Sequence, residues 1–134
     1  MSDPKKILVV EDDPDEAAYL VTLLRDHGFH AFSAANGREG FLRAKAEHPD
    51  LITLDISMPE ESGVRMLRDL QSDPDTSQIP VIIITGIVHD LKRFLETRKQ
   101  LRPPQGYFDK PPDPDQLLAR IRELVGIKEE SAGA

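Results

Sequence analysis

The chain has 134 residues, the size of one domain with a substantial buried core. Its formal charge is −7, and its basic residues form no stripe of the kind that binds nucleic acid. It contains no cysteine, which excludes disulfides, thiol nucleophiles and zinc–thiolate sites. Its first apolar run is too short for a signal peptide or a membrane-spanning helix, so we expect a cytoplasmic protein that binds neither membranes nor nucleic acid.

Short apolar runs alternate along the chain with segments of helical periodicity. The predicted strands, in chain order, are Ile7–Val10, His30–Ala35, Leu51–Leu54, Ile79–Ile84 and Gly106–Asp109. The fourth run is β-branched almost throughout, which is typical of a central parallel strand. A helix is predicted after each strand. The apolar positions that mark these five helices are Ala17, Leu20, Val21 and Leu24; Phe41, Leu42 and Ala46; Val64, Leu67 and Leu70; Leu91, Phe94, Leu95 and Leu101; and Leu117, Leu118, Ile121, Leu124 and Val125.

Cap and turn residues give the predicted boundaries of the helices. Asp13 and Asp113 each precede a proline, a combination that predicts an N-cap followed by the first helical residue. Gly28 and Gly126 predict the ends of the same two helices. The other predicted breaks are a turn at Asn36-Gly37, a loop over residues 58–63, a turn-rich segment over residues 72–77 and a helix end at Pro103-Pro104.

Five alternating strands and helices predict an α/β fold, a doubly wound parallel sheet with helices on both faces. We expect this domain to cover residues 5–126, between a leader of residues 1–4 and a flexible tail of residues 127–134. Ligands of such sheets bind beyond the carboxyl ends of the strands, where the strand order reverses.

Polar residues follow four of the predicted strands at this edge. The acidic cluster Glu11-Asp12-Asp13 follows the first strand, Asp55 the third, Thr85 the fourth and Lys110 the fifth. Taken singly, each has an ordinary explanation as a helix cap, a turn residue or a surface charge, and Asp13 is better explained as a cap than as a ligand. Their combination at one edge predicts a functional site.

The chemistry that fits this combination is phosphoryl transfer to a carboxylate. Asp55 would attack phosphorus and form an acyl phosphate. Glu11, Asp12 and Asp55, with the backbone carbonyl of Ser57, would hold Mg²⁺ (or Mn²⁺), a hard cation that prefers oxygen ligands. The three carboxylates sum to −3, whereas the cation and Lys110 supply +3. The hydroxyl of Thr85 can donate a hydrogen bond to the incoming phosphoryl group.

These residues resemble the receiver domain of two-component response regulators, the family that includes the chemotaxis regulators. The resemblance covers residues 5–126, and its matching pieces are Ile7–Asp13, Leu54–Pro59, Gly63, Ile79–Gly86 and Lys110-Pro111. It implies a five-stranded flavodoxin-like sheet in the order 2-1-3-4-5 and a cis Lys110-Pro111 bond. It also implies a phospho-acceptor rather than an enzyme, in which Asp55 takes phosphate from a sensor histidine kinase or a histidine phosphotransfer protein.

The resemblance further implies a conformational switch. Phosphorylation would draw the side chain of Thr85 toward the phosphoryl group, and Tyr107 would turn inward. The face made by helix 4, strand 5 and helix 5 would then change its affinity for a downstream protein that the sequence leaves unspecified. We expect this chain to be a stand-alone response regulator, which would act by docking, by passing phosphate onward or as a phosphate sink. The segment between Thr85 and Lys110 is longer than is usual in the family, with Arg102-Pro103-Pro104-Gln105 in place of a small turn.

Three other classes of protein share features with this chain. A phosphatase of the haloacid-dehalogenase type needs a second Asp two residues after its nucleophile, where this chain has Ser57. A flavodoxin needs a hydroxyl- and glycine-rich phosphate loop after the first strand, where this chain is acidic. A receiver-like docking module that works without phosphate remains the alternative. Such a module would not need to keep all five of the site residues, which are Glu11, Asp12, Asp55, Thr85 and Lys110.

Overall fold

The computed structural model describes residues 3–55, 60–98 and 101–127, and for residues 60–62 it describes the backbone only. Strands and helices alternate from one end of this region to the other. The strands are β1 Lys6–Val10, β2 His30–Ala34, β3 Leu51–Leu54, β4 Val81–Thr85 and β5 Gly106–Asp109. The helices are α1 Pro14–Asp26, α2 Gly37–Glu47, α3 Glu60–Ser72, α4 Val88–Glu96 and α5 Pro114–Val125.

The five strands form one parallel sheet in the order β2-β1-β3-β4-β5, which confirms the predicted doubly wound α/β fold. The register places the last residues of the strands at a common edge. Val10 at the end of β1 lies opposite Ala34 of β2 and Leu54 of β3. Thr85 at the end of β4 lies opposite Asp109 of β5.

Both faces of the sheet are buried, because alternate residues of each strand pack against different helices. On one face, Leu8 and Val10 of β1 contribute to a core with residues of α2, α3 and α4. On the other face, Ile7 and Val9 contribute to a second core with residues of α1 and α5. The near-continuous apolar runs of the strands follow from this double burial.

The predicted ends of the first and last helices are confirmed. A side-chain oxygen of Asp13 accepts hydrogen bonds from the backbone N–H groups of Asp15 and Glu16, at 2.8 and 3.1 Å. Asp113 caps α5 in the same way. Gly28 and Gly126, just after the two helices, have φ angles of 91° and 78°, a conformation that glycine adopts without steric cost.

The prediction for the second helix was wrong in its first residues and in its buried face. Asn36 and Gly37 form no separate turn, since Asn36 is the N-cap and Gly37 the first residue of α2. Leu42 is 56% exposed and Ala46 is exposed, whereas Gly40 and Ala44 are buried. The reason is close packing of α2 on the sheet: a Cβ atom at Gly40 would lie 2.8 Å from Cγ2 of Val10.

The third and fourth helices also differ from their predicted extents. Helix α3 begins at Glu60 and so includes residues placed in the predicted loop. Helix α4 ends at Glu96, because the N–H groups of Thr97 and Arg98 donate to carbonyls three residues earlier and tighten the last turn. Leu101 therefore lies outside α4 and packs against the core, while Phe94 remains 40% exposed beneath the guanidinium of Arg98.

The strands differ from their predicted bounds by one or two residues. Strand β1 begins one residue earlier, at Lys6, and β2 ends one residue earlier, at Ala34. Strand β4 covers Val81–Thr85, because Pro80 before it has no N–H to give to the sheet.

Two buried threonines differ in their hydrogen bonding. The hydroxyl of Thr76 donates to the carbonyl of Leu70 at 2.8 Å. The hydroxyl of Thr53, in the middle of β3, has no partner among the described residues. A hydroxyl that is buried without a partner costs free energy, so these two side chains have opposite effects on stability.

Four sequence predictions fall partly or wholly outside the described residues. They are the leader of residues 1–4, the carbonyl of Ser57 as a metal ligand, the loop over residues 58–63 and the flexible tail of residues 127–134. In the region that is described, no helix has the length and apolar character needed to cross a membrane.

Candidate functional site

Backbone hydrogen bonds position the candidate residues one step beyond the ends of the strands. The N–H of Glu11 donates to the carbonyl of Ala34, and that of Asp55 donates to the carbonyl of Val10, both at 3.0 Å. The N–H of Lys110 donates to the carbonyl of Thr85 at 3.1 Å. The sheet therefore fixes the backbone from which these side chains extend.

Three carboxylates predicted to share a site do lie together. Glu11, Asp12 and Asp55 each offer a carboxylate oxygen, and these oxygens all lie within 4.8 Å of one another. Glu11 is 3% exposed and Asp55 is 2% exposed, whereas Asp12 is exposed. An all-oxygen, multiply charged set of this kind suits a hard divalent cation.

The ammonium of Lys110 lies among the carboxylates. Its Nζ is 2.6 Å from Oδ2 of Asp55 and 2.9 Å from Oε1 of Glu11. It also lies 3.0 Å from Oε2 of Glu16, a residue in the first turn of α1 that the sequence did not single out. An acidic residue three positions after the N-cap is ordinary in a helix, so only the three-dimensional contact with Lys110 distinguishes Glu16.

The crowding of carboxylates affects the ionisation of the site. Burial, followed by the hydrogen bond with Asp55, raises the pKa of Glu11 from 4.5 to about 8. Hydrogen bonds from the N–H of Asp13 and from Lys110 oppose this rise. Burial alone would lower the pKa of Lys110, but its hydrogen bonds to Asp55, Glu11 and Glu16 outweigh burial and raise that pKa. In the metal-free site, Glu11 therefore keeps its proton at pH values at which an exposed glutamate is ionised.

The two residues predicted to form a switch lie on adjacent strands. Thr85 is fully buried, and its hydroxyl oxygen accepts a hydrogen bond from the N–H of Ile87 at 3.2 Å. Tyr107 is half-buried against the core, with Nζ of Lys92 5.0 Å from the centre of its ring. Burial, and then the charge of Glu96, raise the pKa of Tyr107. The cis Lys110-Pro111 bond implied by the resemblance is present.

Comparisons with known proteins agree with this geometry. The family model described as "Response regulator receiver domain" matches residues 7–122. Protein PilH of Pseudomonas aeruginosa is 36% identical over 90% of this chain and 97% of that protein. Protein Rrf1 of Nitratidesulfovibrio vulgaris is 35% identical over 88% of this chain and 80% of that protein.

A solved structure is also similar. It is the signal receiver domain of a signal transduction histidine kinase from Syntrophus aciditrophicus, with 32% identity and a TM-score of 0.78. The match covers 96% of each chain.

Proposed function

The chain belongs to the family of response regulator receiver domains, and we propose that its Asp55 accepts a phosphoryl group from a phosphohistidine donor. The observation that carries this proposal is the environment of Asp55. Its carboxylate is almost fully buried, contacts Lys110 at 2.6 Å and lies within 4.8 Å of the carboxylates of Glu11 and Asp12. A single carboxylate is thus held beside one positive charge and a candidate cation site.

In the proposed reaction, a carboxylate oxygen of Asp55 attacks the phosphorus atom of the donor. The new Asp55–phosphorus bond forms as the phosphorus–nitrogen bond of the phosphohistidine breaks, and the histidine ring leaves with its electron pair. Lys110 stabilises negative charge on the transferring oxygens, and the hydroxyl of Thr85 donates a hydrogen bond to the phosphoryl group. This chemistry makes the chain a phospho-acceptor of a signalling pathway rather than an enzyme with a separate substrate.

Mg²⁺ (or Mn²⁺) is the cation that we propose for the site. Glu11, Asp12 and Asp55 supply an all-oxygen donor set of the kind that a hard divalent cation prefers. When bound, the cation supplies positive charge that stabilises the phosphoryl oxygens during transfer. The predicted contribution of Ser57 stays a prediction, since this residue lies outside the described part of the chain.

We further propose that phosphorylation switches the face formed by α4, β5 and α5. The hydroxyl of Thr85 would exchange its contact with the N–H of Ile87 for one with the phosphoryl group, and Tyr107 would turn inward. The proposed partners are a sensor histidine kinase or a histidine phosphotransfer protein as donor, and a downstream protein as target. Both would be met in the cytoplasm.

An intact-mass experiment tests this proposal. Wild type, Asp55→Asn and Asp109→Asn would be incubated with acetyl phosphate, with and without Mg²⁺. Asp109 serves as the control, because it is an exposed carboxylate at the same edge of the sheet. We expect a phosphoryl adduct that depends on Mg²⁺ in wild type and Asp109→Asn and that is absent in Asp55→Asn. An adduct of equal size in Asp55→Asn would refute the assignment, and no adduct in any protein would favour the phosphate-independent docking module.

A further inference from the structure

Glu16 contacts the ammonium of Lys110 without belonging to the proposed phosphoryl-transfer site. Its Oε2 lies 3.0 Å from Nζ of Lys110. The side chain of Glu16 is 47% exposed, whereas those of the other two carboxylate partners of Lys110, Glu11 and Asp55, are each 2% exposed. Among the residues that the structure describes, Lys110 is therefore held by two buried carboxylates and by one that faces solvent.

The number of donors on an ammonium makes this third contact consequential. Lys110 has three N–H donors, and three carboxylates from three different segments accept from it. A phosphoryl group on Asp55 adds three strong acceptor oxygens beside the same ammonium. Lys110 can donate to the phosphoryl group only by weakening at least one of the contacts that it already makes.

We propose that Glu16 is the contact that Lys110 gives up, so that Glu16 competes with the phosphoryl group for Lys110 and limits the phosphorylated state. The inference rests on the proposed function of Asp55. Glu16 is then a positioning residue, because it acts through Lys110 and does not touch the reacting phosphorus.

Burial decides which of the three contacts is exchanged. Removing Lys110 from Glu11 would leave a buried carboxylate without its cation, which is costly. Removing it from Glu16 returns an exposed carboxylate to water, which costs little because exposed ion pairs are weak. Glu16 also adds a fourth negative charge beside Glu11, Asp12 and Asp55, which disfavours an incoming anion.

Asp15 provides a matched control for this contact. Asp15 and Glu16 both lie in the first turn of α1, both are exposed, and both backbone N–H groups are capped by Asp13. Each places a negative charge near the positive end of the helix dipole. In the described part of the chain, Asp15 forms no ion pair, so Asp15→Asn removes the same kind of helix charge without touching Lys110.

The experiment compares wild type, Glu16→Gln and Asp15→Asn at physiological ionic strength. Calorimetric titration measures the affinity of each protein for Mg²⁺ alone, and then for beryllofluoride, a mimic of the phosphoryl group, in saturating Mg²⁺. For Glu16→Gln we expect beryllofluoride to bind about two- to fivefold more tightly, from the strength of an exposed ion pair, while Mg²⁺ binds no more tightly than in wild type. For Asp15→Asn we expect the affinity for beryllofluoride to change by no more than about 1.5-fold, because salt screens the more distant charge.

Tighter binding of beryllofluoride without tighter binding of Mg²⁺ distinguishes competition from a structural defect, because a structural defect would weaken the binding of both ligands. Equal affinities of wild type and Glu16→Gln for beryllofluoride would overturn the role of Glu16 while leaving that of Asp55 intact. Equal gains in Glu16→Gln and Asp15→Asn would also overturn it, since net charge alone would then account for the effect. Failure of beryllofluoride to bind wild type would overturn the proposed function and this inference together.

Discussion

The unfolding free energy of the metal-free protein is expected to fall as pH rises from 6 to 9, because Glu11 must ionise in a buried and crowded site. An acid whose pKa is raised by folding binds its proton more tightly in the folded state. Its stabilising contribution is complete below the pKa of the unfolded chain, 4.5, and is lost as pH rises through the folded value of about 8.

The size of this effect follows from the two pKa values of Glu11. Each pKa unit corresponds to about 1.4 kcal/mol, and pH 6 lies about two units below the folded pKa. Roughly 2–3 kcal/mol of stability is therefore expected to disappear between pH 6 and pH 9. The raised pKa of Lys110 has no effect here, because that group stays protonated throughout this range.

Urea unfolding, followed by circular dichroism in the presence of EDTA at several pH values, measures the effect. Glu11→Gln removes the titrating proton, so the stability of this variant lacks the pH dependence that Glu11 causes in wild type. The unfolding free energy of the variant minus that of wild type is therefore expected to increase by about 2–3 kcal/mol as pH rises. Glu39→Gln, which changes an exposed carboxylate in α2, is the control and should follow wild type. Parallel curves for wild type and Glu11→Gln would show that the pKa of Glu11 is not raised by folding.

Three further predictions follow from individual contacts. Asp12→Ala is expected to weaken Mg²⁺ binding in a calorimetric titration more than Asp13→Ala does. Asp13→Ala should instead lower the unfolding free energy by about 1 kcal/mol, because it removes the N-cap of α1. Equal losses of Mg²⁺ affinity in the two variants would show that Asp12 is not the ligand. Thr53→Val is expected to raise the unfolding free energy in urea by about 1 kcal/mol, because it removes a buried hydroxyl without a partner among the described residues. Thr76→Val should lower it by about 1–3 kcal/mol, because it removes a hydroxyl that is hydrogen-bonded. Effects of the same sign would contradict this difference in hydrogen bonding. Gly40→Ala is expected to lower the unfolding free energy by about 1–3 kcal/mol, because its Cβ would meet the sheet and α3, and an unchanged value would mean that α2 packs less closely.

Features set by neighbouring residues were predictable from the sequence. The Asp-Pro starts and glycine ends of α1 and α5 depend on caps within a few residues, and they were predicted correctly. The buried face of α2 was not predicted correctly, because α2 packs so closely on the sheet that Gly40, with no side chain, lies on the buried face while Leu42 is exposed. Apolar periodicity alone carries no information about how closely a helix approaches its neighbour.

The candidate site shows the same division. Strand ends brought Glu11, Asp55 and Lys110 to one edge, as the alternating pattern predicted. The contact of Glu16 with Lys110 was not predictable, because it joins the first turn of α1 to a residue 94 positions further along the chain. Side-chain geometry across elements that are distant in the chain requires the folded structure.

Chemical location of the phosphoryl group tests the central claim most directly. Wild type phosphorylated with acetyl phosphate in Mg²⁺ would be reduced with borohydride, which converts an acyl phosphate to an alcohol, and its peptides would be sequenced by mass spectrometry. We expect the modification at Asp55 alone. Modification at Glu11 or Asp12, with Asp55 unmodified, would contradict it.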